Sequence, residues 1–137
     1  MKFNFRKIIR RPNLASIEDI RASGVVSIWV GNFTDEEKLM SYVSPESEFE
    51  EDFGFRMSEN DLPEISVEFE LTSIRELLTG FSWSAGFIDE ACAQAEAQKI
   101  THANCAVVWH YINYRALRFT PLPDAQLHFL GVASFIQ

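Results

Sequence analysis

The sequence has few of the residues that small proteins use for covalent or metal-based stabilisation. Two cysteines among 137 residues exclude a framework of several disulfides. No apolar run approaches the roughly 18 residues of a membrane-spanning helix, and basic residues interrupt the apolar runs near the N-terminus. With 47% apolar residues, the chain can instead bury a core of its own. We therefore expect a cytosolic, cytoplasmic protein with no membrane association.

Motifs for nucleophilic catalysis, phosphate binding and metal binding are also missing. The segment Ser82-Trp83-Ser84-Ala85-Gly86 lacks the leading glycine of a nucleophile elbow, and the glycines are isolated rather than grouped in a phosphate-binding loop. Cys105 and His110 are five residues apart on a predicted strand, so their side chains should face opposite sides of a sheet. We predict no metal site, no cofactor and no enzymatic activity. Catalysis by surface carboxylates stays open as an alternative.

Charge is distributed unevenly along the chain. The net charge is −8, yet residues 1–23 carry six basic and two acidic residues, a net +4. Residues 34–70 carry thirteen acidic residues against Lys38 and Arg56, a net −11. Such a block repels the phosphates of nucleic acids and attracts basic partners. A solvated surface that maintains solubility is the alternative explanation.

Composition and the positions of proline and glycine divide the chain into two parts. Residues 1–23 are predicted to be a basic N-terminal extension with a short helix from Asn13 to Ser23, ended by Gly24. Residues 24–137 are predicted to form a single domain.

Hydrophobic periodicity predicts four strands and four helices in that domain. The predicted strands are Val25–Val30, Ile65–Leu71, Cys105–Ile112 and Leu127–Ile136. The predicted helices are a helix capped by Thr34 and ended by Pro45, then Glu46–Phe53, Thr72–Thr79 and a long helix that is capped by Ser84 and runs to about Lys99. The order of these elements predicts an α+β fold, a mixed α/β sandwich with about four strands packed against three to four helices. The last two strands are expected to pair antiparallel with each other.

The three tryptophans differ in the environment that the sequence predicts for them. Trp29 and Trp109 lie on predicted strands and are expected in the core. Trp83 lies in a turn between two helices, where it either covers the core or serves as a half-exposed interface residue.

Four segments of the chain form a characteristic series. They are Val26-Ser27-Ile28-Trp29-Val30-Gly31-Asn32-Phe33-Thr34, Phe49-Glu50-Glu51-Asp52-Phe53-Gly54-Phe55, Gly80-Phe81-Ser82-Trp83-Ser84 leading into Phe87-Ile88, and Phe129-Leu130-Gly131-Val132-Ala133-Ser134-Phe135. In this order the segments resemble the immunity protein 22 family of bacterial polymorphic-toxin systems. The resemblance covers about residues 24–136 and does not include residues 1–23.

The resemblance implies a binding protein that neutralises a cognate bacterial toxin in the cytoplasm, and a nuclease is a candidate for that toxin. An acidic surface would then occlude the basic cleft of the toxin. The predicted contact residues are Asp35, Glu36, Glu37, Glu50, Glu51, Asp52, Glu68, Glu70 and Trp83. Two other functions stay open: a small enzyme that uses carboxylates, and an adaptor or structural subunit that forms a homodimer through the edge strand Ile65–Leu71.

Overall fold

Strands and helices alternate along residues 14–135, which are the residues that the computed structural model describes. The strands are β1 (Ala15–Ser16), β2 (Arg21–Gly31), β3 (Phe55–Arg56), β4 (Glu64–Ser73), β5 (His102–Ile112) and β6 (Leu127–Ser134). The α-helices are α1 (Glu36–Tyr42), α2 (Glu48–Phe53), α3 (Ile74–Leu78) and α4 (Ser84–Ala97), and 3₁₀ turns cover Ile17–Ile20 and Tyr114–Leu117. No helix in this range combines the length and the apolar character needed to cross a membrane.

The main sheet has four strands in the order β4-β5-β2-β6, and every neighbouring pair is antiparallel. Strands β1 and β3 form a separate, short parallel pair. The predicted α+β class is therefore confirmed. The predicted pairing of the last two strands is wrong, because β2 lies between β5 and β6 and pairs with both. The connection over residues 113–126 is long enough to carry the chain past β2.

Helices cover both faces of the sheet, so the sheet is the middle of three layers. On one face, Trp29 and Trp109 are buried against Phe49 and Phe53 of α2 and against α1. On the other face, alternate residues of β2 such as Ile28 pack against α3 and α4. Side chains on a strand alternate between the two faces, which explains why successive residues of β2 belong to different cores. The expected burial of both tryptophans is confirmed.

Residues 15–23 do not form the predicted helix, and two of them, Ile17 and Ile20, pack into the core. The 3₁₀ turn places Ile17 and Ile20 at 1% and 2% exposure, and β2 already begins at Arg21. The Asn113 amide donates to the Ile20 carbonyl at 2.8 Å, which ties the turn to the end of β5. The proposed boundary after Ser23 thus does not coincide with a break in the structure. Residues 1–13 of the predicted extension lie outside the described residues.

The N-cap residues of two helices lie one position away from the predicted ones. The Asp35 carboxylate, not the Thr34 hydroxyl, accepts hydrogen bonds from the second and third amides of α1, at 2.9 and 3.2 Å. A carboxylate accepts charge-assisted bonds and complements the helix dipole, which favours it over the neighbouring hydroxyl. The N-cap of α4 is Trp83 in the left-handed conformation, and the Ser84 hydroxyl donates to Thr79 instead. Gly54 ends α2 in the left-handed conformation, which glycine adopts without a steric penalty.

Side chains of α4 bond to the outer edge of β6. Two residues of α4 and its C-cap residue Gln98, each four positions apart, reach alternate residues of the strand. The Ser134 amide donates to Glu90 Oε1 at 2.9 Å, and the side-chain amides of Gln94 and Gln98 donate at 2.7 Å to the carbonyls of Val132 and Leu130. These bonds satisfy backbone groups that an edge strand would otherwise expose.

Candidate partner-binding surface

Five of the predicted contact acids have exposed side chains. They occupy the first turn of α1 and the second half of β4: Asp35, Glu36, Glu37, Glu68 and Glu70. The carboxylates of Glu68 and Glu70 make no hydrogen bond or ion pair within residues 14–135. Their charge is therefore available to a partner.

Strand pairing places these acids at the same end of the sheet. Gly31 at the end of β2 and Val67 of β4 both pair with Cys105 of β5, one from each side. The chain leaves β2 at Gly31 to enter α1, and α1 contacts β4. The five exposed acids therefore lie toward the same end of the sheet, and we call this group the acidic end.

Glu50, Glu51 and Asp52 are not part of that surface, because all three are buried. Glu50 Oε2 accepts a hydrogen bond from the Met57 amide at 2.9 Å, and the Asp52 carboxylate accepts one from the Tyr42 hydroxyl. Buried carboxylates with such partners organise the local fold around α2. The prediction that these three acids lie on an exposed face is wrong.

A cleft of about 880 Å³ lies between α1 and α2. The acidic residues Asp35, Glu37, Glu46 and Glu48, the largely buried Glu51 and one basic residue, Lys38, line it. The cleft is therefore suited to a cationic side chain rather than to an anion. Glu46 and Glu48 are not among the predicted contact residues, although both belong to the acidic block of residues 34–70.

β4 contains an irregularity at residues 68–71. Val67 pairs with Cys105, and the next paired residue, Thr72, lies opposite Ala103. Four residues of β4 thus lie opposite a single residue of β5. A difference of this size pushes the longer segment out of the sheet. We call residues 68–71 the β4 protrusion.

The β4 protrusion exposes two apolar side chains. Phe69 is 85% exposed and Leu71 is 64% exposed, whereas the alternating pattern of Ile65–Leu71 is typical of a strand with one buried apolar face. The irregularity interrupts the regular alternation of the two faces, and both side chains are left in solvent. The residue opposite the protrusion, Asn104, is buried, and its Nδ2 donates to the carbonyls of Glu68 and Phe69 at 3.4 Å each.

Trp83 lies at the other end of the sheet from the acidic end. Its half-exposed ring lies 6.5 Å from the ring of Phe135, whose amide donates to the Gly24 carbonyl near the start of β2. Strand β2 runs from there to Gly31 over about 23 Å, given the rise per residue of an extended chain. A single small contact therefore does not include both Trp83 and the acids. Tyr111, also exposed, packs against Phe135 at 5.5 Å and was not selected from the sequence.

Among the described residues, neither a metal site nor a reactive thiol is found. No group of three His, Cys, Asp or Glu side chains within residues 14–135 is placed to hold a metal ion. Cys92 and Cys105 are free thiols. Burial raises the pKa of Cys105 to about 11, so its thiol is protonated at neutral pH and is a poor nucleophile.

Residues 26–135 match the family model described as Immunity protein 22. The chain belongs to the immunity protein 22 family. The resemblance noted in the sequence is thus confirmed. No curated protein and no solved structure matches the chain. The match starts within β2, although the described core of this immunity protein also includes Ile17 and Ile20.

In general terms, membership in an immunity-protein family implies that the protein neutralises a toxin. It assigns no role to an individual residue. The surface that this immunity protein uses has to be inferred from its own exposure, charge and backbone geometry.

Proposed function

We propose that this immunity protein neutralises its cognate toxin by binding it directly, without catalysis, and that the acidic end contacts the toxin. The binding would occur in the cytoplasm of the bacterial cell that makes both proteins. The proposal is supported mainly by the strand register: Gly31 and Val67 both pair with Cys105. Because of this register, the exposed acids of α1 and those of β4 lie toward the same end of the sheet.

A nuclease toxin fits this surface best. The cleft of a nuclease has to be basic in order to bind phosphates, so an acidic protein surface complements it electrostatically. Unlike charges at the rim of an interface mainly accelerate association, which suits an inhibitor that has to act before the toxin reaches nucleic acid. The same charges repel nucleic acid, so we expect the toxin rather than its substrate to be the partner.

The cleft between α1 and α2 extends the acidic end along the surface. Glu46 and Glu48 line it together with Asp35 and Glu37. An arginine or lysine of the toxin that enters the cleft would replace solvent with carboxylate partners on more than one side. This arrangement supports recognition of a basic protein surface without any reaction at the carboxylates.

Reversal of charge at the acidic end tests the proposal. We expect Glu68→Lys combined with Glu70→Lys to slow association with the toxin domain encoded beside the gene by roughly tenfold at 50 mM NaCl. The effect should shrink at 500 mM NaCl, because the Debye length falls from about 14 Å to about 4 Å. Association rates can be measured by stopped-flow fluorescence. The melting temperature should stay nearly unchanged, because both side chains face water.

Glu76→Lys combined with Glu96→Lys provides a control with the same change of net charge. Both side chains are exposed on α3 and α4, which cover the face of the sheet opposite α1, and neither makes a hydrogen bond or ion pair within the described residues. Glu90 is unsuitable as a control because it accepts the bond from Ser134. Equal slowing by both pairs, or association that is insensitive to salt, would contradict the proposal. The half-exposed Trp83 would then be the better candidate for the contact.

A further inference from the structure

We infer that the β4 protrusion is the centre of the toxin interface: Phe69 inserts into an apolar pocket on the toxin, and basic groups at the rim of that pocket pair with Glu68 and Glu70. The inference rests on the proposed function and adds to it a specific apolar contact that charge alone does not predict.

The exposure of Phe69 is the first observation behind this inference. At 85% exposure, the ring is almost entirely in water, and Leu71, in the same protrusion, is 64% exposed. A third exposed apolar side chain, Met40, lies on α1, the helix that contacts β4. Buried aromatic side chains at the centre of an interface usually carry much of the binding free energy. Phe69 is the most exposed of the large apolar side chains in the described structure.

The backbone of the protrusion is held in place by hydrogen bonds, which is the second observation. The buried Asn104 amide donates to the carbonyls of Glu68 and Phe69, and the Thr72 hydroxyl donates to the carbonyl of Glu70 at 3.0 Å. Three consecutive carbonyls of the protrusion are thus bonded by side chains. A segment that is already ordered loses less conformational entropy when it binds.

Charge identifies the kind of partner. Glu68 and Glu70 flank Phe69 on the chain, so an apolar pocket that accepts the ring comes close to two carboxylates. Such a pocket gains most if its rim is basic, as expected for a toxin with a phosphate-binding cleft. A second copy of this chain would bring four like charges together at the same contact, and the phosphates of nucleic acid or of a membrane would be repelled.

The substitution Phe69→Ala tests the inference in the full-length protein. With the purified toxin domain encoded beside the gene as the probe, we expect the Kd to rise at least about 30-fold, mainly through faster dissociation. Leu62→Ala is the matched control, since Leu62 is also apolar and 56% exposed but precedes β4. Its Kd should change less than about threefold. Biolayer interferometry measures both rates, and thermal melting checks that both variants are folded.

The outcomes separate the inference from the proposed function. If the wild-type protein does not bind the toxin domain, the proposed function fails and the inference fails with it. If the wild type binds and Phe69→Ala binds equally well, only the inference is overturned. Sedimentation of the free protein adds a further test. A wild-type dimer that Phe69→Ala converts to a monomer would mean that the occupant is a second copy, which also overturns the inference.

Discussion

Truncation of Ile20 to alanine should strongly destabilise the protein, even though this residue lies upstream of the matched family region. Ile20 is 2% exposed and belongs to the core cluster that contains Trp109, Ile112 and Tyr114. The substitution removes about three buried carbon atoms, worth roughly 0.8 kcal/mol each, and leaves a cavity in addition. Together these give an expected loss of about 3–4 kcal/mol in the free energy of unfolding.

Urea denaturation monitored by tryptophan fluorescence measures this loss. With an m-value of about 2 kcal/mol/M, the midpoint should fall by about 1.5–2 M while the m-value stays constant. Leu62→Ala is the control, because that side chain is mainly in solvent and its removal should cost less than about 0.5 kcal/mol. A loss below about 1 kcal/mol for Ile20→Ala would show that residues 15–23 are peripheral. The domain would then begin near residue 24, as the composition of the sequence suggests.

Two further predictions concern a helix cap and a buried thiol. Asp35→Ala should lower the free energy of unfolding by about 1 kcal/mol in urea denaturation, because the Asp35 carboxylate caps α1. Thr34→Ala should lower it by less than about 0.5 kcal/mol. A larger loss for Thr34→Ala than for Asp35→Ala would contradict the observed cap. Burial raises the pKa of Cys105 from 9.0 to about 11. The contribution of the protonated thiol to the free energy of unfolding is therefore present below pH 9 and is lost as the pH rises toward 11. Between pH 8 and pH 10.5 the wild type should therefore lose about 2 kcal/mol more than Cys105→Ala, and equal losses would refute this linkage.

Local periodicity was enough to find most of the regular elements. The apolar run that became β2, the alternation that became β4 and the helical stripe of α4 each carry a signal within a single segment. The fold class follows from the order of such elements. The position of β2 between β5 and β6 does not, because strand order depends on pairing between segments far apart in the sequence.

The candidate site was harder to predict because its features depend on tertiary contacts. In α2, four of six residues are acidic, so the sequence does not indicate which side of the helix faces solvent. The buried Asp52 is hydrogen-bonded to Tyr42, which belongs to another helix. In β4, the alternation gives no sign of the β4 protrusion, because that feature depends on Asn104 of the adjacent strand. Exposure of Phe69 could be recognised only once the register was known.

The bonds from α4 to β6 limit how molecules of this protein can associate through their sheets. Residues four apart on a helix rise by about 6 Å, close to the roughly 6.8 Å spanned by two residues of a strand, so α4 can follow β6 with one side chain per turn. Growth of an open-ended fibre requires two accepting edges on every molecule. In the described part of the chain, side chains from α4 and its C-cap bond to the outer edge of β6. The outer edge of β4 is then the other edge of the main sheet. Any pairing between copies through the main sheet would therefore join β4 to β4 and end at two molecules, which protects a concentrated solution of the protein against polymerisation.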